Sequence, residues 1–331
     1  AEVLNRVIEN AWRGSAPAQI NVPRDFWTQV IDIELPKIVR IEAAPGGRES
    51  IAQAAELLSN AKFPVILNGA GVILAGAIDA SKDLAERLSA PVCCGYQHND
   101  AFPGTHQLFA GPLGYNGSKA AMELISKADV VLALGTRLNP FSTLPGYGID
   151  YWPKDAKVIQ VDINSDRIGL TKDVTVPIQG DAKLVAEQIL EQLSQTAGDA
   201  GREDRKNLVS ETKSRWLQQL SSMDNEDDDP GTNWNERARN KHPERMSPRM
   251  AWRAIQASLP ADSIISSDIG NNCAIGNAYP SFEKGRKYLA PGLFGPCGYG
   301  FPSILGAKIG NPDTPCVGFA GDGAFGISMN E

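Results

Sequence analysis

The chain has 331 residues, 42% of them hydrophobic and 21% charged, with 32 Gly, 22 Pro and a formal net charge of -7. That length suits about two domains, and the composition is that of a globular protein rather than a disordered one. The acidic balance argues against broad attraction to nucleic acid or to an anionic membrane surface.

Val3, Leu4, Val7, Ile8 and Ala11 recur at helical spacing, so residues 1–12 read as a helix. A turn at 14–17 leads to a short strand over 19–22, closed by Pro23. Residues 1–30 are expected to be the tail of a domain lying upstream, and 31–47 a Pro- and Gly-containing connector. From Arg48 the pattern alternates: helix 48–60, strand 64–68, helix 77–89, strand 91–94, helix 118–127, strands 129–134, 157–162 and 175–178, and helix 181–194. Apolar runs such as Val130-Val131-Leu132-Ala133-Leu134 suit strands buried on both faces. The alternation predicts a doubly wound parallel-sheet α/β domain over 48–195.

His98 and His106 fall on the loop expected between strand 91–94 and helix 118–127. No second metal ligand shares their spacing, so ordinary hydrogen-bonded or exposed histidines are expected, with ligand or acid–base roles as the alternative. Arg137, at the end of a buried strand, is expected to pair with a carboxylate or a carbonyl, a vestigial nucleotide site being the other reading. Residues 196–245 read as a polar linker. Its charge run Asp224-Asn225-Glu226-Asp227-Asp228-Asp229 lacks the ligand spacing of a calcium-binding loop.

Ser247-Pro248 starts a second α/β unit over 246–331 with an N-cap and a proline at the first helical position. Helix 248–259, strand 263–267, a Gly-Asn turn and a helix follow, then a Gly-rich segment at 292–300, helix 302–309, strand 315–320 and helix 324–331. Five cysteines without regular spacing suggest neither a disulfide framework nor a zinc pair. The first residues lack the pattern of a signal peptide, and the most apolar stretch, 64–77, is too short to span a bilayer. A soluble, cytoplasmic protein is the expectation.

The strongest chemical signal is Gly321-Asp322-Gly323 between an apolar strand and a helix. Flanking glycines let the backbone approach a ligand, a helix start presents free N–H groups to phosphate, and Asp is a hard oxygen ligand suited to magnesium. A plain turn is the competing reading of that tripeptide alone. Ser267-Asp268-Ile269-Gly270-Asn271-Asn272 and the PGLFGPCGYGFP segment at 291–302 are also strand-to-helix turns. In a doubly wound domain such turns gather at the carboxyl edge, where ligands bind. Tight turns that serve packing only are the alternative.

The order DIGNN, LFGPCGYGFP and AGDGAFG resembles the diphosphate-binding domain of thiamine-diphosphate enzymes of the acetolactate synthase group. The upstream segments resemble the end of that group's pyrimidine-binding domain and its middle domain. Within the group, His98-Asn99-Asp100-Ala101-Phe102-Pro103, GPLGYNGSKAAM at 111–122, Asp150-Tyr151-Trp152-Pro153-Lys154 and GDGAFGISMNE at 321–331 are most similar to the sulfoacetaldehyde acetyltransferase branch. That resemblance implies thiamine diphosphate and Mg2+ as cofactors. It implies sulfoacetaldehyde and phosphate as small anionic substrates, acetyl phosphate and sulfite as products, and a homodimer or homotetramer for the full-length protein. An acetolactate synthase-like 2-oxoacid decarboxylase or carboligase is the nearest alternative, and a non-catalytic nucleotide-binding module the other.

The resemblance also implies residue roles. Asp322 would ligate magnesium, with Gly323 and Ala324 offering amides to the diphosphate. Gly270, Asn271 and Asn272 match a turn that contacts the diphosphate. The Gly295 carbonyl matches an acceptor for the cofactor's amino group, and Cys297 takes the place of the bulky apolar residue that props the cofactor. Cys297 as an inert packed thiol is the plainer reading, and no partner marks it as a nucleophile. Gly114-Tyr115-Asn116-Gly117 aligns with a flavin-touching loop of the group and is expected to be structural here. No catalytic residue is assigned within these 331 residues. The activating Glu is expected upstream and the second metal ligand, an Asn, downstream, so this piece alone is expected to be inactive.

Overall fold

The computed structural model describes residues 2–14, 16–34, 42–196, 201–222, 248–292 and 294–330. The chain divides into two compact units, residues 1–44 and 45–331. In the first, α1 (Glu2–Gly14) forms as the apolar spacing requires, and a 3-10 turn spans Arg24–Thr28. The strand expected over 19–22 does not form: these residues are exposed coil. A strand needs a neighbour for its N–H and C=O groups, and the described part of this unit holds no other strand.

The second unit carries a six-stranded parallel sheet in the order β3-β2-β1-β4-β5-β6, an order typical of doubly wound domains. Its strands are β1 (Pro64–Asn68), β2 (Val92–Cys94), β3 (Phe109–Pro112), β4 (Val130–Leu134), β5 (Lys157–Asp162) and β6 (Val176–Gln179). Every residue of β1 and β4 is buried, as their apolar runs predict. Alternate side chains feed two cores. Ile66, Val130, Leu132 and Leu134 meet α2 (Arg48–Asn60), α4 (Ile78–Leu88) and α7 (Ala182–Thr196). Val65, Leu67, Val131 and Ala133 meet α5 (Lys119–Ile125) on the other face. Two short helices are α3 (Ala70–Leu74), whose Val72 joins the first core, and α6 (Pro140–Thr143).

The polar stretch read as a linker contains α8 (Arg202–Ser222). Its buried residues, Arg205, Val209 and Thr212, lie at helical spacing, and Val209 joins the second core. The Arg205 guanidinium donates to the carbonyls of Leu88 at 2.7 Å and Lys62 at 3.2 Å. One apolar stripe and a carbonyl-seeking Arg thus dock a helix whose composition looks solvated. The acidic run 224–229 and the Ser247 cap lie outside the described residues.

A second parallel sheet has the order β8-β7-β9, with β7 (Ile264–Ser267), β8 (Tyr288–Leu289) and β9 (Cys316–Phe319). Around it lie α9 (Pro248–Ser258), α10 (Asn271–Ala278), α11 (Gly300–Gly310) and α12 (Asp322–Ser328). The Trp252 and Phe319 rings pack at 4.1 Å, and Ile265, Phe282 and Tyr288 share their core. Among the described residues no helix is long and apolar enough to cross a membrane.

The segment 96–106 ties the two sheets together. The Asn99 side chain donates to the carbonyls of Asn277 at 2.9 Å and Pro280 at 3.0 Å. Asp100 Oδ2 accepts the main-chain N–H groups of Lys287 at 2.9 Å and Tyr288 at 3.2 Å. Thr105 bonds Glu283 through both its N–H and its hydroxyl. Asn277 reaches back to the Tyr115 carbonyl at 2.8 Å.

Candidate functional site

β7 is the centre of its sheet, and β8 and β9 both run parallel to it. The three Gly-containing turns therefore leave the same edge. The first follows β7 at Asp268–Asn272, the second follows β8 across 292–300, and the third follows β9 at Gly321–Gly323. They also meet. Asn272 Nδ2 lies 3.9 Å from where a β-carbon on Gly321 would stand, and Ile269 Cδ1 lies 3.1 Å from the same position on Gly295.

The residues singled out from the sequence form the open rim of this cluster. Gly270 caps α10 at φ 89°, ψ -148°, a region that side chains other than hydrogen scarcely allow. Asn271 and Asn272 open that helix, the first exposed and the second half-buried. Asp322 and Gly323 are exposed at the start of α12, and Ala324 is half-buried behind them. A β-carbon on Gly270, Gly292 or Gly323 would meet nothing within 4 Å. Gly295 is half-buried, while Cys297 is exposed rather than packed.

Beneath the rim lies a layer that the sequence did not reveal. Asp268, fully buried at the end of β7, accepts three main-chain N–H groups. Its Oδ1 takes those of Ile269 at 2.8 Å and Gly298 at 3.1 Å, and its Oδ2 takes that of Gly300 at 2.7 Å. Ser328, buried on α12, donates its hydroxyl to the Gly298 carbonyl at 2.6 Å. Ser266 does the same to the Gly300 carbonyl, also at 2.6 Å. Both carboxyl oxygens are thus satisfied by oriented main-chain amides. The only sequence signal was an Asp between a strand end and a glycine.

Residues 51–190 match the family described as "Thiamine pyrophosphate enzyme, central domain", and residues 268–331 match "Thiamine pyrophosphate enzyme, C-terminal TPP binding domain". The second match holds all three turns. The chain belongs to the thiamine pyrophosphate enzymes. It is 79% identical over 330 residues to a "Probable sulfoacetaldehyde acetyltransferase" of Rhizobium meliloti (strain 1021), covering 100% of this chain and 56% of that protein. It is 78% identical over 331 residues to a "Sulfoacetaldehyde acetyltransferase" of Roseovarius nubinhibens, covering 100% of this chain and 55% of that protein. An "Acetolactate synthase isozyme 3 large subunit" of Escherichia coli (strain K12) is 30% identical over 324 residues, 95% of this chain and 53% of that one. The chain spans about half the length of these curated relatives.

The other resemblance-bearing stretches of this chain make packing, hydrogen-bond and ion-pair contacts. Residues 98–103 and 113–115 contribute to the seam between the sheets through Asn99, Asp100, Leu113 and Tyr115. Tyr151 is fully buried and donates to the Ser142 carbonyl at 3.1 Å, while Lys154 and Asp150 make an exposed ion pair at 3.0 Å. His106 Nε2 pairs with Glu86 at 3.0 Å, and a strand, β3, follows it on what the sequence suggested was a continuous loop. His98 is held neutral, its pKa lowered to about 4 by burial and then by the charge of Arg137. Arg137 is exposed, and its charge also acts on the buried Asp162 at the end of β5.

Proposed function

We propose that this chain forms the central and cofactor-binding parts of a sulfoacetaldehyde acetyltransferase. The full-length enzyme would convert sulfoacetaldehyde and phosphate to acetyl phosphate and sulfite, using thiamine diphosphate and Mg2+. The observation that carries this reading is 79% identity along the whole chain to a relative bearing that name. The 29–30% identity to acetolactate synthase subunits supports the same cofactor and gives a decarboxylase reading much weaker ground.

The rim fits the cofactor. Its glycines leave open space where a diphosphate needs backbone amides, and Asp322 supplies an exposed hard oxygen for a divalent cation. Among the described residues no group of three or more His, Cys, Asp and Glu gathers, so the cation would share Asp322 with diphosphate oxygens and other single ligands. Thiamine diphosphate, when bound, supplies a nucleophilic carbon for attack on the aldehyde. This chain's own part is positioning. Gly270, Asn271, Asn272, Gly323 and Ala324 would bind the diphosphate, the Gly295 carbonyl would orient the pyrimidine amino group, and Cys297 would support the bent cofactor. In a protein of net charge -7 over these residues, both anionic substrates need such local donors. A cytoplasmic homodimer or homotetramer belongs to the same proposal.

The test is product analysis with the full-length protein. Sulfite and acetyl phosphate should form from sulfoacetaldehyde only when phosphate, Mg2+ and thiamine diphosphate are all present. Carbon dioxide release from pyruvate without sulfite formation would instead support the decarboxylase reading.

A further inference from the structure

Gly298 is held from two sides, by a side chain of the first turn and by one on the helix that follows the third. Its N–H goes to Asp268, which ends β7, and its carbonyl to Ser328, which lies on the helix opened by Asp322. Asp268 also holds the Gly300 N–H, so the carboxylate spans the entry to α11. Gly298 sits at φ 85°, and a β-carbon there would come within 2.5 Å of Ser328 Oγ and 3.0 Å of Ile327 Cγ2. The peptide therefore has one seat, and Asp268, Gly298 and Ser328 are all buried in it. Immediately before it in sequence come Gly295 and Cys297, at the open rim.

We propose that Asp268 and Ser328 are positioning residues that set the height and tilt of the 295–297 segment, and so hold the thiamine half of the cofactor rather than its diphosphate. The proposal rests on the cofactor reading above and goes beyond it in naming what shapes the second turn. The metal and diphosphate ligands stand on the first and third turns, each anchored by its own strand and helix. The second turn is the longest of the three, running between the two-residue β8 and α11, and depends on side-chain struts for its shape. The clasp also links the turns: a shift of α12 carries Ser328, and with it the Gly298 carbonyl.

The chemistry of the two substitutions is specific. Asp268→Asn keeps the size of the side chain but turns one acceptor into a donor facing a main-chain N–H. Ser328→Ala leaves the buried Gly298 carbonyl without its hydroxyl. Removing one partner of such a buried bond is the expensive case.

The experiment compares two probes on the full-length protein in the presence of magnesium: inorganic pyrophosphate, which reads only the diphosphate clamp, and thiamine diphosphate, which reads the clamp and the second turn. In Ser328→Ala pyrophosphate affinity should stay within about twofold of wild type while thiamine diphosphate affinity falls about tenfold. Asp268→Asn, whose side chain also holds the Ile269 N–H of the first turn, should weaken thiamine diphosphate more than pyrophosphate. A parallel loss of both ligands, or no change in either, overturns the proposal. Ser328→Ala, the smaller change, carries the test if Asp268→Asn does not fold. Wild-type protein that binds pyrophosphate but gains nothing from the thiamine half overturns the cofactor reading itself, a result distinct from any behaviour of the variants.

Discussion

Asn277 Oδ1 accepts the main-chain N–H of Gln97 at 2.7 Å, inside the seam between the large sheet and the cofactor-edge sheet. The same side chain donates to the Tyr115 carbonyl at 2.8 Å, so one residue of α10 satisfies backbone groups from two loops. α10 is also the helix that Gly270, Asn271 and Asn272 open. The seam thus fixes the orientation of a rim element from behind.

Replacing Asn277 with Ala leaves the buried Gln97 N–H and the half-buried Tyr115 carbonyl without their partner. We expect a loss of about 2–4 kcal/mol in equilibrium denaturation of the protein. A change below about 0.5 kcal/mol, the scale of a surface substitution, would show that the seam relaxes to satisfy both groups otherwise.

His98 should make the fold sensitive to acid. Its folded pKa, lowered from 6.5 to about 4, lies below its unfolded value. Between these values the unfolded chain binds the extra proton, so stability rises with pH across the window. The contribution is whole above pH 6.5 and is lost as pH falls toward 4, up to about 3 kcal/mol. Denaturation at several pH values should show His98→Gln losing less stability than wild type on acidification. Parallel pH profiles would contradict this.

Much of this architecture was legible in the sequence. The runs in β1 and β4 are continuous and apolar because both faces of the sheet are covered, and their bounds follow from that burial. β8 has two residues and no period to detect, and β3 ends in Gly-Pro at the sheet edge, where a proline's missing N–H does no harm. α8 hid behind its polar composition, since three buried residues suffice to dock it. At the site, the glycines and Asp322 announce themselves through turn chemistry. Asp268 and Ser328 each lie 30 residues from Gly298, and only the folded chain brings the three together.

Gly270→Ala separates backbone strain from crowding. A β-carbon there meets nothing within 4 Å, so the cost comes from φ 89° alone, about 1–3 kcal/mol. The turn should relax by moving its peptide, and the rise in melting temperature on adding magnesium and thiamine diphosphate should shrink along with basal stability. An undiminished cofactor-induced rise would mean that this turn does not touch the cofactor.

The central claim is that the Gly321-Asp322-Gly323 turn holds a metal-bound diphosphate. Calorimetric titration of the full-length protein with thiamine diphosphate and magnesium, wild type beside Asp322→Asn, tests it most directly. Asp322 is exposed, so the substitution leaves the core untouched. Loss of a charged ligand contact predicts affinity weakened about 10- to 100-fold with unchanged melting temperature of the free protein. Equal affinity in the two proteins would contradict the account.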